Sequence, residues 1–219
     1  TFTMLKFSGN LSVTFHIDGL ATVFAGLVSL LWPLATLYSF EYMKHENHEK
    51  IFFTFYVITY GVTLGIATSA NILSMYFFYE LLTLVTTPLV LHTLKREAVL
   101  AARTYLYYSI GGAAFAFIGM IFVIIYGSTS DFIYGGVMNI APHAENTNLL
   151  LFIYVLAFMG FGVKAAVCPF CAWLPQAGVA PTPVTALLHA VAVVKSGAFA
   201  IMRLTYYSFG TDFLKGTWA

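Results

Sequence analysis

Of 219 residues, 60% are hydrophobic and only 9% carry a formal charge, with a mean hydropathy of +0.84. Soluble domains hold about 25% charged residues, so the composition excludes a cytosolic or secreted globular protein and points to an integral membrane one. A net charge of +1 without a dense basic cluster excludes a nucleic-acid partner.

The first residues, "TFTMLKFSGNLSVTFHIDG", lack the basic and apolar regions of a signal peptide. The absence of an initiator Met sets the expectation of a processed or truncated product. Residues 1–18 read as an external N-terminal segment, in which 10–17, "NLSVTFHI", alternate enough for a short extended stretch. Asp18-Gly19 then forms a helix N-cap signal. Six apolar segments follow, at 19–40, 50–70, 71–92, 101–127, 148–170 and 181–207. Each is long enough to cross a hydrocarbon core, which takes about 20 residues at 1.5 Å rise. The predicted fold is an all-α integral membrane bundle over 19–207, followed by a tail at 208–219. Its connections are a charged turn, "EYMKHENHEK", a tight turn at Ser69-Ala70-Asn71, a basic loop, "TLKREAVLAAR", and a polar excursion, "GSTSDFIYGGVMNIAPHAENTN".

Basic residues predict orientation. Lys44, Lys50, Lys95, Arg96 and Arg103 share one side, whereas 127–147 contain no Lys or Arg. The positive-inside rule makes loops 41–50 and 93–103 cytoplasmic and residue 1 external in a cell membrane. Lys6, Arg203 and Lys215 then fall outside, against the bias.

Three charges lie deep within predicted spans: Glu80, Lys164 and Lys195. A charge at that depth costs on the order of 2.5–3.5 kcal/mol on insertion scales, so such groups face protein or water and pair. Glu80 with a lysine is the neutral arrangement; a purely structural bridge between two helices is the plainer one. Desolvation favours the neutral amine, and a nearby carboxylate favours the ammonium. Moving or neutralising the carboxylate therefore switches the lysine, and several such sites joined by water form a proton relay. Tyr76, Thr83 and Thr87 share the Glu80 helix face by spacing. They either line a hydrated path or, for the threonines, bond back to their own helix. Pro169 and Pro175 break the segment after Lys164, with Pro181 and Pro183 ahead of Lys195. Broken helices beside buried charges build the ion sites of many transporters, although Pro175 also fits a plain re-entrant turn.

Other signals are weaker. Cys168 and Cys171 have CxxC spacing without a second ligand pair, and read as buried small apolar residues. His45 and His48, in "HENH", read as a solvated loop, so no metal site is predicted. Gly61 and Gly65, and "GGAA", offer small faces for close helix packing. Tyr105, Tyr107 and Tyr108 beside Arg103 read as an interfacial belt. No nucleotide, flavin, haem or quinone motif is recognisable, so no cofactor is expected and any redox chemistry falls to partner subunits.

The segments "FFYELLTL", "GVKAAVCPFCAWLPQA" and "APTPVTALLHAVAVVKSG", with "HIDGLATVF", "YSFEYMKHE" and "AARTYLYYSIGGAAF", resemble the antiporter-like proton-translocating membrane subunits. These occur in respiratory complex I, Mrp-type Na+/H+ antiporters and membrane-bound hydrogenases, and "YSFEYMKHE" leans toward the last two. The resemblance implies that Glu80 is the ion-pair glutamate and Lys164 its partner on a broken helix. It implies that Lys195 is the central relay lysine, with His189 on the same relay. It also implies one leading helix and a five-helix repeat, the second repeat lying outside this chain.

The function this implies is a proton-translocating half-channel within a multisubunit complex. Its partners would be other membrane subunits, the bilayer and protons. A sodium/proton antiporter subunit is the alternative, and a non-conducting scaffold a third reading.

Overall fold

The alternating residues near the N-terminus form a hairpin in the structure, a computed structural model describing residues 1–7, 11–46, 48–138, 146–215 and 217–218. Strand β1 (Phe2–Lys6) pairs antiparallel with β2 (Ser12–Phe15), with Phe2 opposite Phe15 and Lys6 opposite Ser12. Residue 10 of the expected extended stretch lies outside the described residues. Asn71 ties this hairpin to the bundle. Its Nδ2 donates to the Ser12 carbonyl (2.8 Å) and to Thr14 Oγ1 (2.7 Å), while its Oδ1 accepts from the Ser74 N–H (2.7 Å). A single amide thus caps a helix, satisfying one of its free N–H groups, and anchors a surface element.

Five helices are long and apolar enough to cross a membrane: α1 (Gly19–Met43), α2 (Glu49–Thr68), α3 (Ile72–Val90), α4 (Arg96–Tyr126) and α7 (Thr182–Phe209). A shorter apolar helix, α5 (Thr147–Gly162), and a small one, α6 (Trp173–Ala177), lie between α4 and α7. The protein is an all-α, multi-pass membrane protein. Asp18 caps α1 as expected, accepting from the Ala21 N–H at 2.8 Å. Val23, Leu30, Leu37 and Leu84 point outward, while Phe52, Ile66, Met75, Leu82 and Phe161 fill the interior. That arrangement suits a chain whose solvent is lipid, where helices keep every backbone bond internal.

Glycines set the closest helix approach. A Cβ on Gly160 of α5 would lie 2.5 Å from the Ala116 nitrogen and 2.6 Å from the Gly112 carbonyl of α4, so the two backbones touch there. Gly65 packs against the Phe78 ring in the same way, whereas Gly61 and Gly111 face open space.

Several expectations are corrected. The segment predicted as one span at 148–170 stops being helical at Gly162. Ala166 takes a left-handed conformation (φ 56°), and the Val167 N–H returns to the Gly162 carbonyl at 2.9 Å, which turns the chain. A cis Cys168–Pro169 bond follows, with Pro175 inside α6. Helix α4 begins at Arg96, so Arg96 and Arg103 are helical residues and not loop residues. Cys168 and Cys171 are exposed free thiols. Tyr105 is fully buried, bonded to Thr86 (2.8 Å) and tilted against Trp173, so it belongs to the core and not to a surface belt. Helix α7 widens to π-helical turns at Leu187–Val191 and Arg203–Phe209, around an α-helical centre at Val193–Met202.

Candidate functional site

Where α5 ends, Lys164 turns inward and becomes fully buried. Its ammonium donates to the Tyr79 carbonyl on α3 and lies 3.4 Å from the Tyr79 ring centroid. Glu80 Oε1 stands 3.9 Å from Nζ. Burying an ammonium costs several kcal/mol, and three features offset that cost here: a carbonyl dipole, an aromatic face and a carboxylate. At 3.9 Å the carboxylate is beyond hydrogen-bond length, so its attraction is coulombic. Glu80 keeps 29% of its side chain exposed, and its Oε1 has no hydrogen-bond partner among the described residues. The pair is therefore asymmetric: the cation is held by a carbonyl and a ring, whereas the carboxylate oxygen facing it has no hydrogen bond among the described residues.

Three elements, α3, α6 and α7, fix the turn that carries the lysine. The Tyr79 hydroxyl donates to the Phe161 carbonyl (2.9 Å), satisfying one of the free carbonyls at the end of α5. Trp173 Nε1, on α6, donates to the Val163 carbonyl at 2.7 Å. On α7, Gly197 lies so close that an added Cβ would sit 2.8 Å from the Lys164 carbonyl carbon. Only a glycine lets α7 press on the break at that point. The sequence pattern singles out none of Tyr79, Trp173 and Gly197. Their signal is weak, because an aromatic or a glycine in an apolar run reads as packing.

Among the expected relay residues, the structure brings Glu80 and Lys164 together and leaves the others apart. His189 is half-buried on the first π-helical stretch of α7, and its Nε2 is buried without a partner among the described residues. Lys195 is exposed on the outer surface of α7, although its neighbour Ser196 is fully buried. Pro169 and Pro175 are exposed around the break. On the Glu80 face, the Tyr76 hydroxyl donates to the Ala113 carbonyl (3.3 Å) and Thr87 bonds back to the Thr83 carbonyl (2.7 Å). Thr83 Oγ1 is buried without a partner among the described residues. Among those residues no three His, Cys, Asp or Glu side chains gather to hold a metal ion.

Arg203, expected on the external side with Lys6 and Lys215, is 1% exposed on α7. Its Nη1 and Nη2 donate to Asp18 Oδ2 (2.5 Å) and Oδ1 (2.7 Å), and its guanidinium lies 4.5 Å from the Tyr207 ring centroid and 5.1 Å from those of Phe132 and Phe199. Burial pushes the Asp18 carboxyl up, but the bonds from Arg203 and from the Ala21 N–H outweigh it and hold the carboxyl below the ordinary aspartate value. The available signal is an arginine inside the predicted 181–207 span; only Asp18's capping role is legible in the sequence.

Residues 69–218 match the transmembrane family described as NADH:quinone oxidoreductase/Mrp antiporter. The chain belongs to that family. Residues 5–53 also match the N-terminal family of NADH-ubiquinone oxidoreductase (complex I) chain 5. One Na(+)/H(+) antiporter subunit from Alkalihalophilus pseudofirmus is 33% identical over 89% of this chain and 24% of its own length. Another Na(+)/H(+) antiporter subunit, from Staphylococcus aureus, is 31% identical over 87% of this chain and 24% of its own length. The chain spans about a quarter of the length of these curated relatives. A chain from the membrane-bound sulfane sulfur reductase, an archaeal respiratory membrane complex, has the same fold at 20% identity. That likeness has a TM-score of 0.74, covering 97% of this chain and 44% of that one.

Proposed function

We propose that this chain is a proton-translocating module of a larger membrane complex, with Lys164 and Glu80 as its gating pair. The observation that carries the reading is a fully buried lysine at a helix break, held 3.9 Å from a carboxylate whose facing oxygen has no hydrogen bond among the described residues. While Glu80 is charged and near, the ammonium is favoured. When Glu80 takes up a proton or swings away, desolvation favours the neutral amine and Lys164 gives up its proton. His189 and Lys195 continue the path. Support comes from buried polar atoms on α3 and α7, namely Thr83 Oγ1, His189 Nε2 and Ser196 Oγ, which have no partner among the described residues. Native interiors rarely leave such atoms unsatisfied, and a file of water satisfies them. The exposed Lys195 is then the point where another part of the complex takes over, supplied by further chain or by neighbouring membrane subunits. In this reading residue 1 is external and the basic stretches at 41–50 and 93–103 face the cytoplasm.

The names of the antiporter relatives favour a second reading, in which the same proton path is coupled to sodium movement. Substituting Lys164→Ala in the intact complex, reconstituted in liposomes, tests the first. Assembly should persist while proton flux is lost, with and without sodium. Normal flux in the assembled variant overturns the relay and leaves a scaffold. Sodium-dependent flux in the unsubstituted complex decides for the antiporter form.

A further inference from the structure

A groove lies between α4 and the turn that follows α5. Its volume is about 320 Å³, and its walls are Tyr107, Gly111, Gly112 and Phe115 of α4 with Val163 and Phe170 from the break. Hardly any polar surface lines it. Gly111 makes the opening, since a Cβ there would meet nothing within 4 Å. Arg96, Arg103, Tyr107 and Gly111 are spaced by seven, four and four residues, and all four are exposed, so they form one stripe along α4. Arg103 stands directly above the groove, with its Nη2 3.4 Å from the Tyr107 hydroxyl and its guanidinium 6.0 Å from that ring centroid. Within residues 93–103, Lys95, Arg96 and Arg103 outnumber the one acid, Glu97, while Glu46 lines a separate pocket beside Lys95.

Length places this charge at the membrane surface. At 1.5 Å per residue the 31 residues of α4 span about 46 Å, against a hydrocarbon core of about 30 Å. The first turns of α4 therefore reach the headgroup layer, and Gly111, about 12 Å further along than Arg103, lies among acyl chains. Basic residues at that level, above an apolar cleft between helices, have the chemistry of an anionic lipid site.

We propose that this groove binds one anionic phospholipid, its phosphate held by Arg103 and Arg96 and an acyl chain laid over Gly111 and Gly112 against Phe170. The charge complementarity selects an anionic headgroup over a zwitterionic one. Because Val163 is both a wall of the groove and the residue before Lys164, the lipid braces the turn that presents the lysine.

The test uses the whole complex in nanodiscs containing phosphatidylglycerol or phosphatidylcholine, each with a diazirine on the acyl chain. After irradiation the labelled peptides are mapped. Phosphatidylglycerol should label 107–115 and 163–170 in preference to phosphatidylcholine. Arg103→Gln should weaken that labelling about fivefold, the factor for one basic residue at an anionic surface. Gly111→Leu, which fills open space, should abolish it in an assembled complex. Equal labelling by the two lipids, or labelling unchanged in Arg103→Gln, overturns the proposal. So does a lack of label in both segments, the result expected if a helix of another protein in the complex occupies the groove.

Discussion

Arg203 and Asp18 grip each other across 185 residues of chain, with both terminal guanidinium nitrogens on both carboxylate oxygens at 2.5 and 2.7 Å. The pair joins the start of α1 to the C-terminal π-helical stretch of α7, so the bundle's first and last long helices are clasped at one end. Arg203→Ala leaves Asp18 without its partner and hollows a space among Phe132, Phe199 and Tyr207. A loss on the order of 3 kcal/mol is expected, at the low end for buried pairs because Asp18 retains water contact. Thermal unfolding of the detergent-solubilised complex measures it. Arg203→Lys should recover only part, since an ammonium cannot make the two-pronged bond.

The same clasp predicts an acid limb of stability. The folded-state carboxyl of Asp18 sits below its ordinary value, which is about 3.8. Its contribution is therefore fully present above that value and is lost as pH falls below about 4 through the depressed folded value. Unfolding midpoints followed between pH 6 and 3 should fall more steeply for the unsubstituted protein than for Asp18→Asn. Parallel curves would show that the clasp is not what titrates.

Glu80→Gln removes the charge facing Lys164 while keeping the side chain's shape. The lysine retains the Tyr79 carbonyl and ring, so assembly should survive. Proton flux should drop roughly 10²-fold, the lower range for removing a positioned proton-transfer group. Flux in reconstituted liposomes is the readout.

Tyr79→Phe deletes the hydroxyl that satisfies the Phe161 carbonyl but keeps the ring over Lys164. A buried carbonyl left unpaired costs about 1–3 kcal/mol, so stability should fall while transport is largely retained. Tyr79→Leu removes the ring face as well, and transport should fall with it.

Gly197→Ala forces a methyl onto the backbone of Ala165 and Lys164, which cannot give way as a flexible side chain would. Overpacking of this kind costs about 1–3 kcal/mol. Here it should also displace the lysine from Glu80, so flux is lost along with stability. Gly61→Ala, which meets nothing within 4 Å, is the matched control and should change neither.

The order of residues alone settles that this is a multi-helix membrane protein, where most of its long spans lie, and that Glu80 needs a lysine beside it. Hydrophobic run length is local and additive, and a charge in lipid is too costly to go unpartnered, so both features register in one dimension. Folding in three dimensions decides the rest. The end of the helix before Lys164 depends on a left-handed Ala166 and on the Tyr79 and Trp173 bonds to its last carbonyls. The burial of Tyr105 and the exposure of Cys168 and Cys171 follow from which side of that turn meets the bundle. The Arg203–Asp18 clasp is not legible in the sequence because the two residues lie at opposite ends of the chain, and no spacing rule links residues that only folding brings together.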